Sequence, residues 1–250
     1  MAARTAGKKE SRKFGRFSSK SALDLGQTFV AFLIVIVLTS LLLILQPNIS
    51  TLGVIVAVGF LIYFLAGTPL WHSLLMVGTG IAALFALIKL APYRINRWLV
   101  FLNPETDPLG IGYQIKQSLI AVGSGGILGL GLGMSRQKFG FLPQPATDSI
   151  FAIFSEETGF LGSIILISLF LVILWQGFKI SSKVKDRFMQ LCALGITCWI
   201  SLQAFFNIGA MIGLLPLAGI PLPFISYGGS HIAAEMAGMG ILLNISKNVN

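Results

Sequence analysis

Apolar residues run along this chain in long unbroken blocks, separated by short polar or proline-bearing joints. Runs of about 20 apolar residues can cross a bilayer as helix, and the pattern predicts six such spans. The first covers about Gln27–Gln46 and stops at Pro47 and Asn48; the second covers about Thr51–Gly67. Thr68-Pro69 turns the chain into a third, about Leu70–Leu90. The last three cover about Ile150–Phe178, Phe188–Leu214 and Ser226–Ile245, with Leu215-Pro216 to Pro221-Leu-Pro223 joining the final two. The segment Ala91–Ser149 breaks this rhythm: it is rich in glycine and proline, and is expected to be one large loop. No internal repeat is visible. The pattern therefore predicts an all-α, polytopic helical membrane bundle, 27–250, behind a basic N-terminal segment, 1–26.

Inside the loop, Ser118–Met134 reads SLIAVGSGGILGLGLGM. Six glycines between Gly123 and Gly133 argue against a simple spanning helix. A re-entrant or interfacial stretch packed against protein is expected instead. The Gly-Ser-Gly-Gly run at 123–126 reads two ways. Its backbone amides could hold a phosphate, or its small residues could let helices approach closely.

Composition strengthens the membrane reading. Apolar residues make up 55% of the 250 positions and charged residues 11%, against about 25% charged in soluble domains. The net charge of +9 points to membrane edges rather than nucleic acid, because Lys and Arg cluster beside the spans. Twelve of them fall on the side of the N-terminal segment, counting the Lys179–Arg187 loop and Lys247, and six on the other. Basic residues mark the cytoplasmic side, so both termini are expected there and the long loop outside. The first 26 residues lack the apolar core of a cleavable signal. Cys192 and Cys198 share one apolar run, which fits neither a disulfide framework nor metal-ligand spacing.

Candidate chemistry concentrates where loop meets lipid. Three of the nine acidic residues, Asp148, Glu156 and Glu157, lie within ten positions. A carboxylate at a membrane boundary is costly unless something uses it. Asp148 reads either as a general base, its pKa raised by partial burial, or as an N-cap of the span beginning at Ile150. Adjacent helical residues point about 100° apart, so Glu156 and Glu157 cannot both face one cavity. Arg94, Arg97 and Lys116 lie on the same side as Asp148 and read either as pyrophosphate ligands or as interfacial snorkelling side chains. Gln203 and Asn207, four apart on the fifth span, either line a cavity or join helices. His231 and Glu235, four apart on the sixth, read as a structural ion pair, with a proton relay or metal ligation as alternatives.

Three stretches in order carry a resemblance. Phe101-Leu-Asn-Pro-Glu-Thr-Asp107 through Gly112-Tyr113-Gln114-Ile-Lys116-Gln117-Ser118 and Gly123-Ser124-Gly-Gly126 is similar to the large extracellular loop of the SEDS family (shape, elongation, division and sporulation proteins). Leu142-Pro143, Thr147-Asp148 and Glu156-Glu157-Thr-Gly159 resemble its catalytic-loop stretch. Gly213-Leu-Leu-Pro216 through Pro221-Leu-Pro223-Phe-Ile-Ser226-Tyr-Gly-Gly-Ser230 resembles its C-terminal signature. Ile225-Ser-Tyr-Gly-Gly and Leu242-Leu-Asn-Ile-Ser look nearest to the FtsW branch, with RodA the near alternative.

The resemblance implies a bacterial peptidoglycan glycosyltransferase. Such proteins polymerise lipid II at the outer face of the cytoplasmic membrane, beside a class B penicillin-binding protein and other divisome or elongasome membrane proteins. Asp148 falls on the family's essential aspartate. Arg97, Gln114, Lys116, Gln117, Ser118, Ser124, Glu157, Ser226 and Ser230 are the expected substrate contacts, with Glu157 the inward-facing glutamate. A divalent cation, Mg²⁺ or Mn²⁺, held by Asp148 and substrate phosphates is also expected. The rival readings are a lipid II flippase and a non-catalytic scaffold. Two departures stand out. The family has about ten spans, so four would precede Met1. Asn48 stands where the family carries an acid, keeping hydrogen bonding without the charge.

Overall fold

A computed structural model describes residues 19–46, 48–90 and 93–247. Most of the basic N-terminal segment and the Arg94 side chain lie outside the described residues. Among the described residues six long apolar helices are present: α1 (Ser19–Leu45), α2 (Ile49–Leu65), α3 (Leu70–Leu90), α6 (Ile150–Lys183), α7 (Arg187–Met211) and α8 (Gly229–Ser246). They match the six predicted spans to within a few residues, apart from the basic N-terminal start of α1. Two more helices, α4 (Tyr93–Leu102) and α5 (Ile111–Ser124), and a 3₁₀ turn, Pro104–Thr106, occupy the stretch expected to be loop. The chain divides at Leu42 into two compact units. The first consists, among described residues, of α1 as far as Leu42, where the Thr39 hydroxyl donates back to the Val35 carbonyl.

In the second unit Asn48 caps α2 by accepting from the Thr51 N–H at 3.2 Å, a role that needs an oxygen acceptor and no charge. Asp107, three residues before the Gly110 N-cap of α5, accepts from Gly110 and Ile111 N–H at 3.0 and 2.8 Å. The core joins α5, α6 and α7 through Ile115, Ala121, Phe151, Ala152, Ala204, Ile208 and Met211, with Leu142 and Leu222 from the intervening loops. A smaller cluster of Val184, Ala193, Leu242 and Ile245 closes the far end of α6, α7 and α8. Gly177 lets α6 and α7 touch: a Cβ there would stand 2.0 Å from the Thr197 hydroxyl.

The outside of this unit is apolar. Leu161, Ile164, Ile165, Leu169, Leu171, Val172 and Trp175 of α6 are all exposed. The most apolar window of α6 has mean hydropathy 2.4 with only 11% of it buried, a surface that water does not stabilise and lipid does. At 34 residues a continuous α6 would be about 51 Å long, well beyond a hydrocarbon core of about 30 Å. It is not continuous: Gly159 sits at φ 68°, ψ −164° and breaks it into a short segment, 150–158, and a spanning segment, 160–183.

The break explains the glycines. It frees carbonyls and N–H groups that lipid cannot satisfy. Gly126 and Ile127 carbonyls accept from Phe160 and Leu161 N–H, while Leu130 and Gly131 N–H donate to Glu156 and Glu157 carbonyls, at 2.9–3.2 Å. The two backbones then lie too close for side chains. A Cβ on Gly129 would be 2.1 Å from the Glu157 carbonyl oxygen, and one on Gly125 2.2 Å from that of Ser155. Within the 123–126 run the close packing is at Gly125; a Cβ on Gly123 or Gly126 would meet nothing within 4 Å. Gly125 and Gly126 N–H turn back onto Ala121 and Gly123 carbonyls rather than facing outward as a phosphate cradle.

Candidate functional site

The turn carrying Asp148 is built around one carbonyl. Gln144 adopts φ 53°, which lets its C=O accept from both Thr147 N–H and Ser149 N–H at 3.2 and 3.3 Å. The Thr147 hydroxyl donates to Gln144 Oε1 at 2.7 Å. Ser149 is fully buried; its hydroxyl donates to the Pro143 carbonyl and accepts from Gln114 Nε2 at 3.2 Å. Ser149 is the N-cap residue of α6, with no side-chain cap bond. Neither Thr147 nor Asp148 caps the helix, so the capping role open to Asp148 from sequence falls away. Its carboxylate has no hydrogen-bond partner among the described residues.

Asp148 borders a cavity of about 160 Å³. Arg97 from α4, Gln114 from α5, Gln144, and Asn207 and Met211 from α7 line it, and Leu217–Ile220 close one wall. Asn207 Nδ2 donates to both the Asp148 and the Ile220 carbonyls, at 2.8 and 2.7 Å. It thus lines the cavity and joins its walls, the two roles that sequence left open. Gln203, one turn earlier, donates to the Pro221 carbonyl at 3.2 Å. Gly219 sits at φ +63°, a conformation that favours glycine, and its α-carbon faces Asp148: a Cβ there would make ordinary contact with Oδ2 at 3.5 Å. The half-buried Asp148 carboxyl is pushed above its ordinary value of 3.8, because burial disfavours the charged form.

The other expected contacts scatter. Arg97 and Gln114 join Asp148 at the cavity. Ser226 is buried and works by backbone: its hydroxyl accepts from Leu222 N–H and donates to the Thr147 carbonyl at 2.8 Å. Ser118 is also buried, donating to the Gln114 carbonyl and touching Met211 Sδ at 3.6 Å, which ties α5 to α7. Lys116 faces outward, 3.7 Å from Glu105 in an exposed pair. Gln117 is half-buried outside the cavity wall, Ser124 is exposed and donates to its own helix at Ala121, and Ser230 is exposed at the start of α8.

The two glutamates reverse the expected order. Glu156, not Glu157, is the buried one, at 1% exposure. Its carboxylate accepts from the Ser135 hydroxyl and from Arg136 and Gln137 N–H. Glu157 pairs with Lys138 at 2.8 Å, closer to the surface. Both capture the 133–138 loop rather than line the cavity. Nothing local in the sequence signals this, because the partners lie about 20 residues upstream. His231 and Glu235 form the pair read from their spacing, Nε2 to Oε1 at 2.9 Å.

Residues 11–250 match the cell cycle protein family FtsW/RodA/SpoVE. The chain is 43% identical to stage V sporulation protein E of Bacillus subtilis (strain 168), covering 94% of this chain and 64% of that one. It is 41% identical to a probable peptidoglycan glycosyltransferase FtsW of Thioalkalivibrio sulfidiphilus, covering 88% and 57%. Among solved structures it is similar to a chain from work on structural coordination of polymerization and crosslinking by a peptidoglycan synthase complex (TM-score 0.63, 29% identity, covering 83% and 58%). The fold also matches a variant of the rod shape determining protein RodA of Thermus thermophilus (TM-score 0.57, 24% identity, covering 88% and 57%). The chain spans between half and two thirds of the length of these relatives.

Proposed function

The chain belongs to the FtsW/RodA/SpoVE family of cell cycle proteins, the SEDS family, and on that premise we propose that it is a peptidoglycan glycosyltransferase. It polymerises lipid II at the outer face of the bacterial cytoplasmic membrane, for cell division or cell-shape maintenance. The observation that carries this is Asp148: a half-buried carboxyl with raised pKa, free of partners among the described residues, on a cavity it shares with Arg97 and Gln114.

Asp148 takes the proton from an acceptor-sugar hydroxyl as that oxygen bonds the anomeric carbon of the lipid-linked donor. The bond from that carbon to the pyrophosphate oxygen breaks as the new one forms. A base with pKa raised toward working pH does this better than an ordinary carboxylate. Arg97 supplies fixed positive charge and paired donors for the departing pyrophosphate, and Gln114 offers a neutral amide. Among the described residues Asp148 is the only carboxylate bordering the cavity. That donor set suits a cation such as Mg²⁺, which brings most of its ligands as water and substrate phosphate; bound there, it would offset pyrophosphate charge.

The names of the relatives and the peptidoglycan synthase complex among the structural neighbours support this reading and a class B penicillin-binding protein as partner. The twelve-to-six asymmetry of basic residues supports cytoplasmic termini and an outward cavity. One observation favours transport as a second reading: α6 is discontinuous, as substrate-binding helices of transporters are. At this break, however, Gly126, Ile127, Leu130 and Gly131 take up the freed backbone groups. Purified protein given lipid II and its penicillin-binding partner separates the two readings. Glycan polymer is the expected product; translocation in vesicles without polymer would establish the transporter.

A further inference from the structure

The linker between α7 and α8 contains no helix, yet it forms one wall of the Asp148 cavity through Leu217–Ile220. It holds part of its shape by itself, through Ile225 and Ser226 N–H on the Leu222 carbonyl, and part with outside help. Phe224 adopts φ 65°, a left-handed conformation that a bulky side chain rarely takes unless its surroundings impose it. The imposing group comes from α8. Glu235 is completely buried, and its Oε2 accepts from Phe224 N–H at 2.8 Å. His231 Nε2, one turn earlier, lies 2.9 Å from the other oxygen. A buried carboxylate in a membrane helix is costly, and this one puts one oxygen on the linker, at Phe224 N–H, and the other beside His231 of its own helix.

The linker in turn fixes the catalytic turn. Ser226 accepts from Leu222 N–H and donates to the Thr147 carbonyl, one residue from Asp148. Tyr227 N–H donates to the Ala146 carbonyl at 2.8 Å. Asn207 spans the Ile220 and Asp148 carbonyls. Three consecutive residues, 146–148, are thus docked by their carbonyls onto 220–227 or a side chain shared with it. Neither His231 nor Glu235 borders the cavity.

We propose that Glu235, steadied by His231, is a positioning residue for Asp148: it holds Phe224 in its left-handed conformation, and the 220–227 linker then serves as the template on which the 146–148 turn is set. This rests on the reading of Asp148 as the general base. Glu235 acts through the linker and touches no substrate.

The test uses the full-length protein in detergent with its penicillin-binding partner, lacking Cys192 and Cys198 and carrying Ala146→Cys as a reporter. Glu235→Ala is compared with Glu235→Gln, which keeps an oxygen for Phe224 N–H and an amide for His231. All measurements are made well below each variant's melting temperature. Glu235→Ala is expected to lose kcat on the order of 10²-fold, the penalty of roughly an ångström of misplacement, with KM little changed. Maleimide labelling of the reporter should quicken in the same variant. Glu235→Gln should restore both. Wild-type kcat in Glu235→Ala, a lowered melting temperature with unchanged labelling and kcat, or a Gln variant as impaired as Ala would each overturn the proposal. Quickened labelling that Gln reverses, in a protein whose unsubstituted form makes no polymer, would uphold the positioning of the turn and place the failure on the glycosyltransferase reading.

Discussion

Asp148 and Glu156 show how burial gives two carboxylates in one region different work. Asp148 is left without a partner among the described residues, and burial alone raises its pKa above 3.8. As a general base it must be ionised, so turnover should rise with pH through a value above 3.8; a pH–rate profile flat down to pH 4 would contradict this. The same shift sets the sign of its effect on stability. Between the unfolded and folded pKa values the folded state binds more protons, so stability contributed by the neutral form is lost as pH rises. Asp148→Asn should therefore melt no lower than wild type at neutral pH, and any gain should fade in acid below the unfolded value. Glu156 is the opposite case. Removing it in Glu156→Ala strands the Ser135 hydroxyl and two backbone N–H groups, each worth about 1–3 kcal/mol if left buried and unsatisfied. A drop in melting temperature larger than that of Glu157→Ala is expected, because Glu157 holds a partly exposed lysine. Sequence reading found Asp148 from its place at a polar–apolar edge. The family resemblance put Glu157 inward rather than Glu156, and the partners that bury Glu156, Ser135 to Gln137, are remote in sequence.

At the scale of elements, span positions were legible because bilayer thickness sets the length of apolar runs; Leu70–Leu90 coincides with α3 and Ile150 with the start of α6. Helices α4 and α5 were not, because the scattered charges and prolines of that stretch resemble loop chemistry when neighbours are unknown. The break in α6 was also hidden. Gly159 is one glycine in an apolar run, and only its pairing with Gly126–Gly131 gives it meaning. That pairing predicts a contrast between glycines. Gly129→Ala places a Cβ 2.1 Å from a carbonyl at φ +80° and should destabilise strongly or prevent folding. Gly123→Ala meets nothing within 4 Å and lies in α5, where alanine is favoured over glycine by about 0.5–1 kcal/mol. Melting of both variants in detergent checks this; equal tolerance would mean that the two backbones do not lie in contact.

For the whole molecule, family membership and the long apolar helices make a polytopic membrane protein, and the asymmetry of basic residues predicts its orientation. In a background lacking Cys192 and Cys198, Phe139→Cys should label from outside intact cells and Lys185→Cys only after permeabilisation. The reverse pattern would put the cavity on the wrong side for an outward-facing substrate. The proposed function requires the Asp148 cavity to carry out glycosyl transfer. The most direct measurement is the rate of lipid II polymerisation by purified Asp148→Asn protein with its penicillin-binding partner, alongside lipid II binding by the same sample. Loss of roughly 10²–10⁴ in rate with binding retained is the result expected for removal of a general base; a near-normal rate and glycan length would contradict it.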